Sequence, residues 1–443
     1  MQVASLSCIL NPMIILGIET SCDETAISLI EFKKPLFGQP KIKILANELI
    51  SQIKIHEQYG GVFPMMAKRE HSQNLVPILL KVLKELDSGN SKSQETKTKQ
   101  TSNPKLQTLN TPEITNLYSS VLQKTAIDFA KDTILFENIK NNLSRLVKPK
   151  KLDAIAVTNG PGLEPCLWTG LNFARALGEL WKVPVTPVNH MEGHVLVSLL
   201  REQGISNNQF PNSKSEKLLP THYSLQTPAF PAIALLISGG HTELVLMRDW
   251  GKYEIVGQTK DDAVGEAFDK VARVLGLPYP GGPQISALAE IARNPSLPTT
   301  HYPLPTISLP RPMLKSGDLN FSFSGLKTAV LYLAQKIGTL SDTDKQQIAR
   351  EFEDSVVEVL TTKTAKAIEK FGAKSLILGG GVIANKEIRQ AFTKLAQEKN
   401  LKLFLPQLDH ATDNAIMISI AGALNFKHQA NQNLSALGNL KLS

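Results

Sequence analysis

The stretch Asn189-His190-Met191-Glu192-Gly193-His194 places two of the chain's nine histidines four residues apart, with a carboxylate between them. On a helix, residues i and i+4 share one face, with Cβ atoms about 5–6 Å apart, so both imidazoles can reach one ion. A pair of satisfied imidazoles with no ion would leave the same trace. Zinc-protease helices carry histidines at this spacing too, but their glutamate directly follows the first. Here Met191 occupies that place and Glu192 comes one residue later. A residue two positions from each histidine points roughly 200° away from either, off the face that would hold an ion. Asp413, in "HATDNAIMI", offers a third ligand, although an aspartate at the expected start of a helix can equally be its N-cap. Two imidazoles and one carboxylate with open positions suit Fe2+ or Zn2+.

Three glycine-rich turns stand at expected strand or helix ends: "SGGHT" (238–242), "YPGGP" (279–283) and "GGGVIAN" (379–385). Such turns expose backbone N–H groups where helix dipoles favour anions, which suits a phosphate. One of them alone would be a tight loop; three together point to a nucleotide site. No GxxxxGK[ST] is present, so it is not a P-loop site. "DDAVGEAFDK" carries Asp261, Asp262, Glu266 and Asp269, either as a solvated acidic face or with one carboxylate on ribose hydroxyls.

The elements that must position these residues alternate between strand and helix. "IILGI" (14–18), the polar turn "ETSCDET" and "AISLI" read as a hairpin, and "AIALLI" (232–237), "SGGHTE" and "LVLM" (244–247) repeat that pattern. Later, "LDAIAVT", "VPVTPV" and "SLIL" each run into a helical stretch. This predicts an α/β protein with helix-covered sheets and a duplicated architecture. Residues 88–140 and 201–229 are polar, aperiodic and read as surface inserts without a catalytic role.

With 443 residues, 42% apolar and 20% charged, the chain has the composition of a globular protein large enough for two or three domains. The net charge of +8 permits an anionic partner, but Ser88–Lys151 alone carries eleven Lys/Arg against five Asp/Glu, and the remainder is nearly neutral. Three separated cysteines, Cys8, Cys22 and Cys166, build neither a disulfide framework nor a four-cysteine zinc site, which fits a reducing, cytoplasmic setting. No apolar run reaches the length of a membrane span. Residues 1–12 lack a secretory pattern and read as a short extension or a misplaced start before Met13.

Taken in order, "MIILGIETSCDET", "HEQYGGVFPMMAKREH", "LDAIAVTNGPGL", "NHMEGH", "LLISGGHTEL", "DDAVGEAFDKVARVLGLPYPGGP", "FSFSGLKTAV", "GGGVIANKEIR" and "TDNAIMI" resemble the TsaD family over about residues 13–425, excluding the inserts. These are tRNA adenosine threonylcarbamoyltransferases, once described as O-sialoglycoprotein endopeptidases. The resemblance implies the actin/Hsp70-like (ASKHA) fold, with two duplicated α/β lobes around a nucleotide cleft. Residues 13–200 would form lobe I, 201–229 a polar linker, 230–407 lobe II, and 408–428 a C-terminal helix carrying a metal ligand and packing back on lobe I. It implies transfer of threonylcarbamoyl from threonylcarbamoyl-AMP to N6 of the adenosine 3′ of the anticodon, in tRNAs reading codons that begin with A. His190, His194 and Asp413 would hold one divalent metal, Fe2+ before Zn2+. Ile237, Ser238, Gly239, Gly240, His241, Asp269, Gly282 and Asn385 would hold the adenylate. Asp23 and Glu24 would matter for activity in roles not assigned. Beyond tRNA, the implied partners are a paralogous ASKHA protein (TsaB-like) and a small P-loop ATPase (TsaE-like). Two departures stand out: Ser286 replaces a usual acidic residue and Met65 a usual glutamate. The competing readings are a metalloprotease, which needs a base beside a metal-bound water, and an ASKHA ATPase or small-molecule carbamoyltransferase.

Overall fold

The computed structural model describes residues 11–92, 132–203, 222–293, 307–426 and 434–443. Most of the N-terminal extension and the greater part of both expected inserts lie outside them. Sheet 1 contains β1 (Met13–Glu19), β2 (Glu24–Lys33), β3 (Lys41–Ser51), β4 (Leu152–Gly160), β5 (Val185–Asn189), β6 (Leu200–Glu202) and β7 (His222–Leu225). Sheet 2 contains β8 (Ala232–Ile237), β9 (Thr242–Asp249), β10 (Lys252–Gln258), β11 (Ser375–Gly379) and β12 (Lys402–Phe404).

The two sheets share one plan. β1, β2 and β3 run antiparallel, and β4 and β5 then add parallel strands on the β1 side. β8, β9 and β10 do the same, with β11 and β12 added on the β8 side. The orders β5-β4-β1-β2-β3 and β12-β11-β8-β9-β10 therefore coincide. This is the duplicated architecture that the repeated hairpins indicated, and it agrees with the ASKHA fold that the family resemblance implies. The end of the 201–229 segment differs from a polar linker. His222–Leu225 pairs with β3, and burial of Tyr223 and Leu225 gives that edge its apolar anchor.

The helices are α1 (Pro64–Lys92), α2 (Thr133–Asn142), α3 (Glu164–Trp181), α4 (His190–Ser198), α5 (Val264–Val274), α6 (Gly281–Arg293), α7 (Ser324–Ile337), α8 (Asp342–Phe371), α9 (Lys386–Glu398) and α10 (Ala415–Leu424). One core packs α1 and α3 on the outer face of sheet 1, and another packs α5 to α9 on the outer face of sheet 2. A third core lies between the sheets and is filled by α4 and α10. All of α4, and all of α10 except Leu424, is buried between the two layers. Contact there is close: a Cβ on Gly17 of β1 would come within 2.2 Å of Ser419 Oγ on α10. Gly17 therefore admits a helix that any larger residue would displace. The final segment returns over lobe I, where Leu437 N–H donates to Asn159 O (2.8 Å) and Asn189 Nδ2 donates to Lys441 O (3.2 Å).

Candidate metal centre and nucleotide cleft

Asn189 starts the metal helix. Its Oδ1 accepts from the amides of Met191 (2.9 Å) and Glu192 (3.3 Å), a sound N-cap for α4. His190 and His194 then point from the first turns to one spot, with their rings edge-on at 4.7 Å. Asp413 reaches the same spot from the turn before α10. It is not the N-cap: Asn414 caps that helix through Met417 N (3.1 Å), which frees Asp413 for another role.

His190 Nε2 lies 3.2 Å from His194 Nε2, and Asp413 Oδ1 lies 3.3 Å and 3.1 Å from the two nitrogens. Bonds of about 2.1 Å to one ion put neighbouring ligand atoms about 3.0–3.4 Å apart, between right-angled and tetrahedral geometry. The three atoms therefore fit a divalent metal. The carboxylates around the trio favour positive charge at this spot. Burial pushes the His190 imidazolium down, but Asp413 and Glu19 more than offset this and hold it well above its usual range. Burial drives His194 the other way, towards the neutral ring a ligand needs. Burial raises Asp413 too, but His190 and His194 outweigh it and keep the carboxylate ionised.

Glu19 went unnoticed in the sequence. It is fully buried at the end of β1, and its Oε2 lies 3.1 Å from His190 Nδ1 and accepts from Thr158 Oγ1 at 2.7 Å. Its Oε1 accepts the Ser21 amide. A carboxylate behind a ligating imidazole fixes the ring and its tautomer, so that Nε2 offers the lone pair. A strand ending "GIE" carries no signal for this; only the fold brings it to α4.

Glu192 has its own account. It points away from the trio and accepts from Tyr253 Oη (3.2 Å) on β10 and Asn425 Nδ2 (2.7 Å) after α10. It ties α4 to sheet 2 rather than serving a metal-bound water. Glu192→Gln is expected to keep full metal content while lowering unfolding stability by about 1–3 kcal/mol, since one acceptor becomes a donor facing donors. Elemental analysis and denaturant unfolding check both halves, and loss of metal would restore a catalytic reading of Glu192.

Lobe II brings its glycine turns to the same place. "SGGHT" is the β8–β9 turn, closed by Ser238 N–H to His241 O (2.9 Å), and Gly239 and Gly240 face open space. The start of α5 rests on it through Gly265 N–H to Ser238 O (3.2 Å). Gly379 ends β11 and Gly380 follows it, and added Cβ atoms there would come within 3.0 Å of His194 O and 2.3 Å of Ile237 O. The glycine turn after β11 thus abuts α4 at His194. His241 is pushed down to about 4 by burial first and then by the neighbouring His190 and His194, so it is neutral at pH 7. Ile237 gives its side chain to the lobe II core, leaving only its backbone for a ligand. Asp269 Oδ1 accepts Gly281 N–H (2.7 Å), so this carboxylate shapes the Gly281–Gly282 turn. Asn385 caps α9 through Ile388 N (2.9 Å) and meets Ser286 Oγ at 2.5 Å.

The other carboxylates of "DDAVGEAFDK" are not a free acidic face. Asp261 accepts from Ser322 Oγ (2.6 Å) and Ser324 Oγ (2.7 Å), holding "FSFSG", while Asp262 and Glu266 pair with Lys270 at 2.6 Å and 3.0 Å. Met65 is exposed and lies at the start of α1, away from the trio.

Asp23 ends the β1–β2 turn of lobe I and Glu24 opens β2. Burial, then the charges of Asp23 and Asp413, push the Glu24 carboxyl well above its usual range. Burial and then Asp23 push the Tyr279 phenol of lobe II far up as well, so the two loops oppose one another. Behind them His71 donates from Nε2 to Cys22 O (3.0 Å), while its Nδ1 accepts from Thr25 Oγ1 (2.8 Å) and Gln52 Nε2 (3.2 Å). This network needs a neutral ring, and burial pushes His71 down to about 4. Between about pH 6.5 and 4 the unfolded chain binds the proton that the folded chain refuses. Stability contributed by His71 is therefore full above pH 6.5 and is lost as the pH falls to about 4, by about 3 kcal/mol. Denaturant unfolding at pH 7 and pH 5 should show this slope, and His71→Gln should flatten it. An unchanged slope in the variant would place the proton elsewhere.

The family model "tRNA N6-adenosine threonylcarbamoyltransferase" (TsaD) matches residues 43–94, 134–213 and 217–420. The chain belongs to this family. It is 36% identical over 422 residues to the tRNA N6-adenosine threonylcarbamoyltransferase of Paraburkholderia xenovorans (strain LB400), covering 95% of this chain and 94% of that one. It is 38% identical over 416 residues to the enzyme of that name from Herminiimonas arsenicoxydans, covering 94% and 92%. No helix among the described residues of this TsaD-family chain is long and apolar enough to cross a membrane.

Proposed function

We propose that this protein transfers the threonylcarbamoyl group of threonylcarbamoyl-AMP to N6 of the adenosine 3′ of the anticodon, in tRNAs reading codons that begin with A. AMP is released. The observation that carries this reading is the meeting, in a TsaD-family chain, of the His190–His194–Asp413 trio with the glycine turns of lobe II.

The donor is a mixed anhydride and already activated, so the enzyme needs no nucleophile of its own. It must align the exocyclic amine and stabilise charge on the carbonyl oxygen and the departing phosphate. The open β8–β9 turn suits the phosphate, with backbone N–H groups and no side chain in the way. Neutral His241 offers a hydrogen bond at the same place without competing for a cation. His190, His194 and Asp413 would hold the divalent metal, which supplies Lewis acidity for an oxygen of the donor. The donor set, two imidazoles and one carboxylate, favours Fe2+, with Zn2+ as the second candidate.

The protein would work in the cytoplasm with a paralogous ASKHA partner and a small P-loop ATPase. Purified protein given these partners, tRNA and threonylcarbamoyl-AMP should form threonylcarbamoyladenosine, read by nucleoside mass spectrometry. Unmodified adenosine in the complete mixture would sink the proposal. The peptidase reading is disfavoured by the place of Glu192, which is bonded to Tyr253 and Asn425 instead of facing the trio.

A further inference from the structure

We propose that residues 434–443 form a strap that positions His190 from behind, and through it the metal centre. The inference rests on the reading of His190, His194 and Asp413 as metal ligands, but its residues stand outside every motif that supports that reading. The match to the family model ends at residue 420, before this segment begins.

The strap is built into the fold at both ends. Leu434 and Ala436 are buried in the core on the outer face of sheet 1, and Leu442 is buried in the core between the sheets. Arg175 of α3 donates to Leu434 O. Between these anchors the chain turns over the end of β4, where Leu440 N–H donates to Leu437 O (3.0 Å). A Cβ on Gly160 would come within 2.1 Å of Leu437 O, so a larger residue there would lift the strap away.

Two arms run from the strap to His190. In the first, Leu437 N–H donates to Asn159 O (2.8 Å) and Gly438 O accepts from the Gly162 amide (3.1 Å), which fixes the turn from Asn159 to Gly162. The next amide, that of Leu163, donates to Ser21 O (2.8 Å). Ser21 Oγ in turn lies 3.2 Å from His190 Nδ1. In the second arm, Asn189 Nδ2 donates to Lys441 O (3.2 Å), which orients the amide whose Oδ1 caps α4. His190 is the first residue of that helix. Chain ends and helix ends open most easily, and a ligand on a loose end must be ordered when the ion binds. The strap supplies ties on both sides of His190, so the ordering is done before the ion arrives. It acts through Asn189 and Ser21 and is therefore a positioning element.

The test breaks each arm in the full-length protein freed of metal, and reads Co2+ binding by competition with a coloured chelator. Leu437→Pro deletes the N–H that holds Asn159, and because the Leu437 side chain is 44% exposed it opens no core cavity. Asn189→Ser keeps a cap for α4 but deletes the donor to Lys441 O. Each should weaken Co2+ about tenfold, the lower end of what partners behind a metal ligand contribute. Each should also shift the visible bands of the Co2+ complex, which report ligand geometry. Leu437→Ala keeps the N–H and should bind Co2+ as wild type does. The double variant should be no more than about threefold weaker than the weaker single variant, because both changes release one strap. A purely structural role would lower unfolding stability and leave the Co2+ affinity and bands of the folded protein unchanged. Unchanged affinity in either single variant, a loss in Leu437→Ala as large as in Leu437→Pro, or fully additive losses in the double variant overturns the proposal. If Leu437→Pro does not fold, Asn189→Ser decides alone by the same readings. Wild type that binds no Co2+ would defeat the metal-centre reading and the proposal with it, whereas variants that bind as wild type does defeat the strap alone.

Discussion

Asp413→Ala should yield folded protein without stoichiometric metal, and threonylcarbamoyladenosine formation should fall by more than about 100-fold, beyond the loss expected from an outer-shell partner. Asp413 is the best ligand to remove. His194 is buried in the core shared by the sheets, where truncation would also open a cavity. Asp413 precedes α10, and Asn414 does the capping, so the helix keeps its start. Without this carboxylate, the charge that holds a dication between two imidazoles is gone, and Glu19 stands on the far side of His190. Elemental analysis, circular dichroism and nucleoside mass spectrometry read the three parts. Full metal content in Asp413→Ala would remove it from the ligand set.

Glu19→Gln should weaken metal binding by about 10–100-fold while leaving the ligands in place. Glutamine preserves the shape beside Thr158 and Ser21 but not the charge behind His190 Nδ1. The imidazole becomes a poorer base, and its tautomer is no longer dictated. The two variants are separable because excess metal should restore transfer in Glu19→Gln but not in Asp413→Ala. A competition titration against a coloured chelator gives the affinity. If Glu19→Gln matched wild type, the carboxylate would be a packing feature of β1 and nothing more.

The sequence was enough for the class of fold and the kind of chemistry. Continuous apolar runs on either side of polar turns defined both hairpins, and strand-to-helix alternation placed the parallel strands, because strands covered on both faces have no polar side. The i, i+4 spacing put two imidazoles on one side of a helix, since helix geometry is local. The same geometry took Glu192 off that side, and the structure adds its partners, Tyr253 and Asn425.

Only the tertiary structure decided which distant residues meet. Asp413 is 219 residues from His194 and is brought within 3.1 Å of it because α4 and α10 are buried together between the two sheets. Glu19 joins them from the end of β1, and Glu353 reaches Ser286 and Asn385 from the middle of a long helix. A buried carboxylate has no pattern in sequence: its partners come from other elements, and nothing local distinguishes it from a solvated one. "NHMEGH" states by itself that two imidazoles share a face. Close packing of duplicated lobes is what gives that face a third candidate ligand, a carboxylate behind it and a glycine turn beside it.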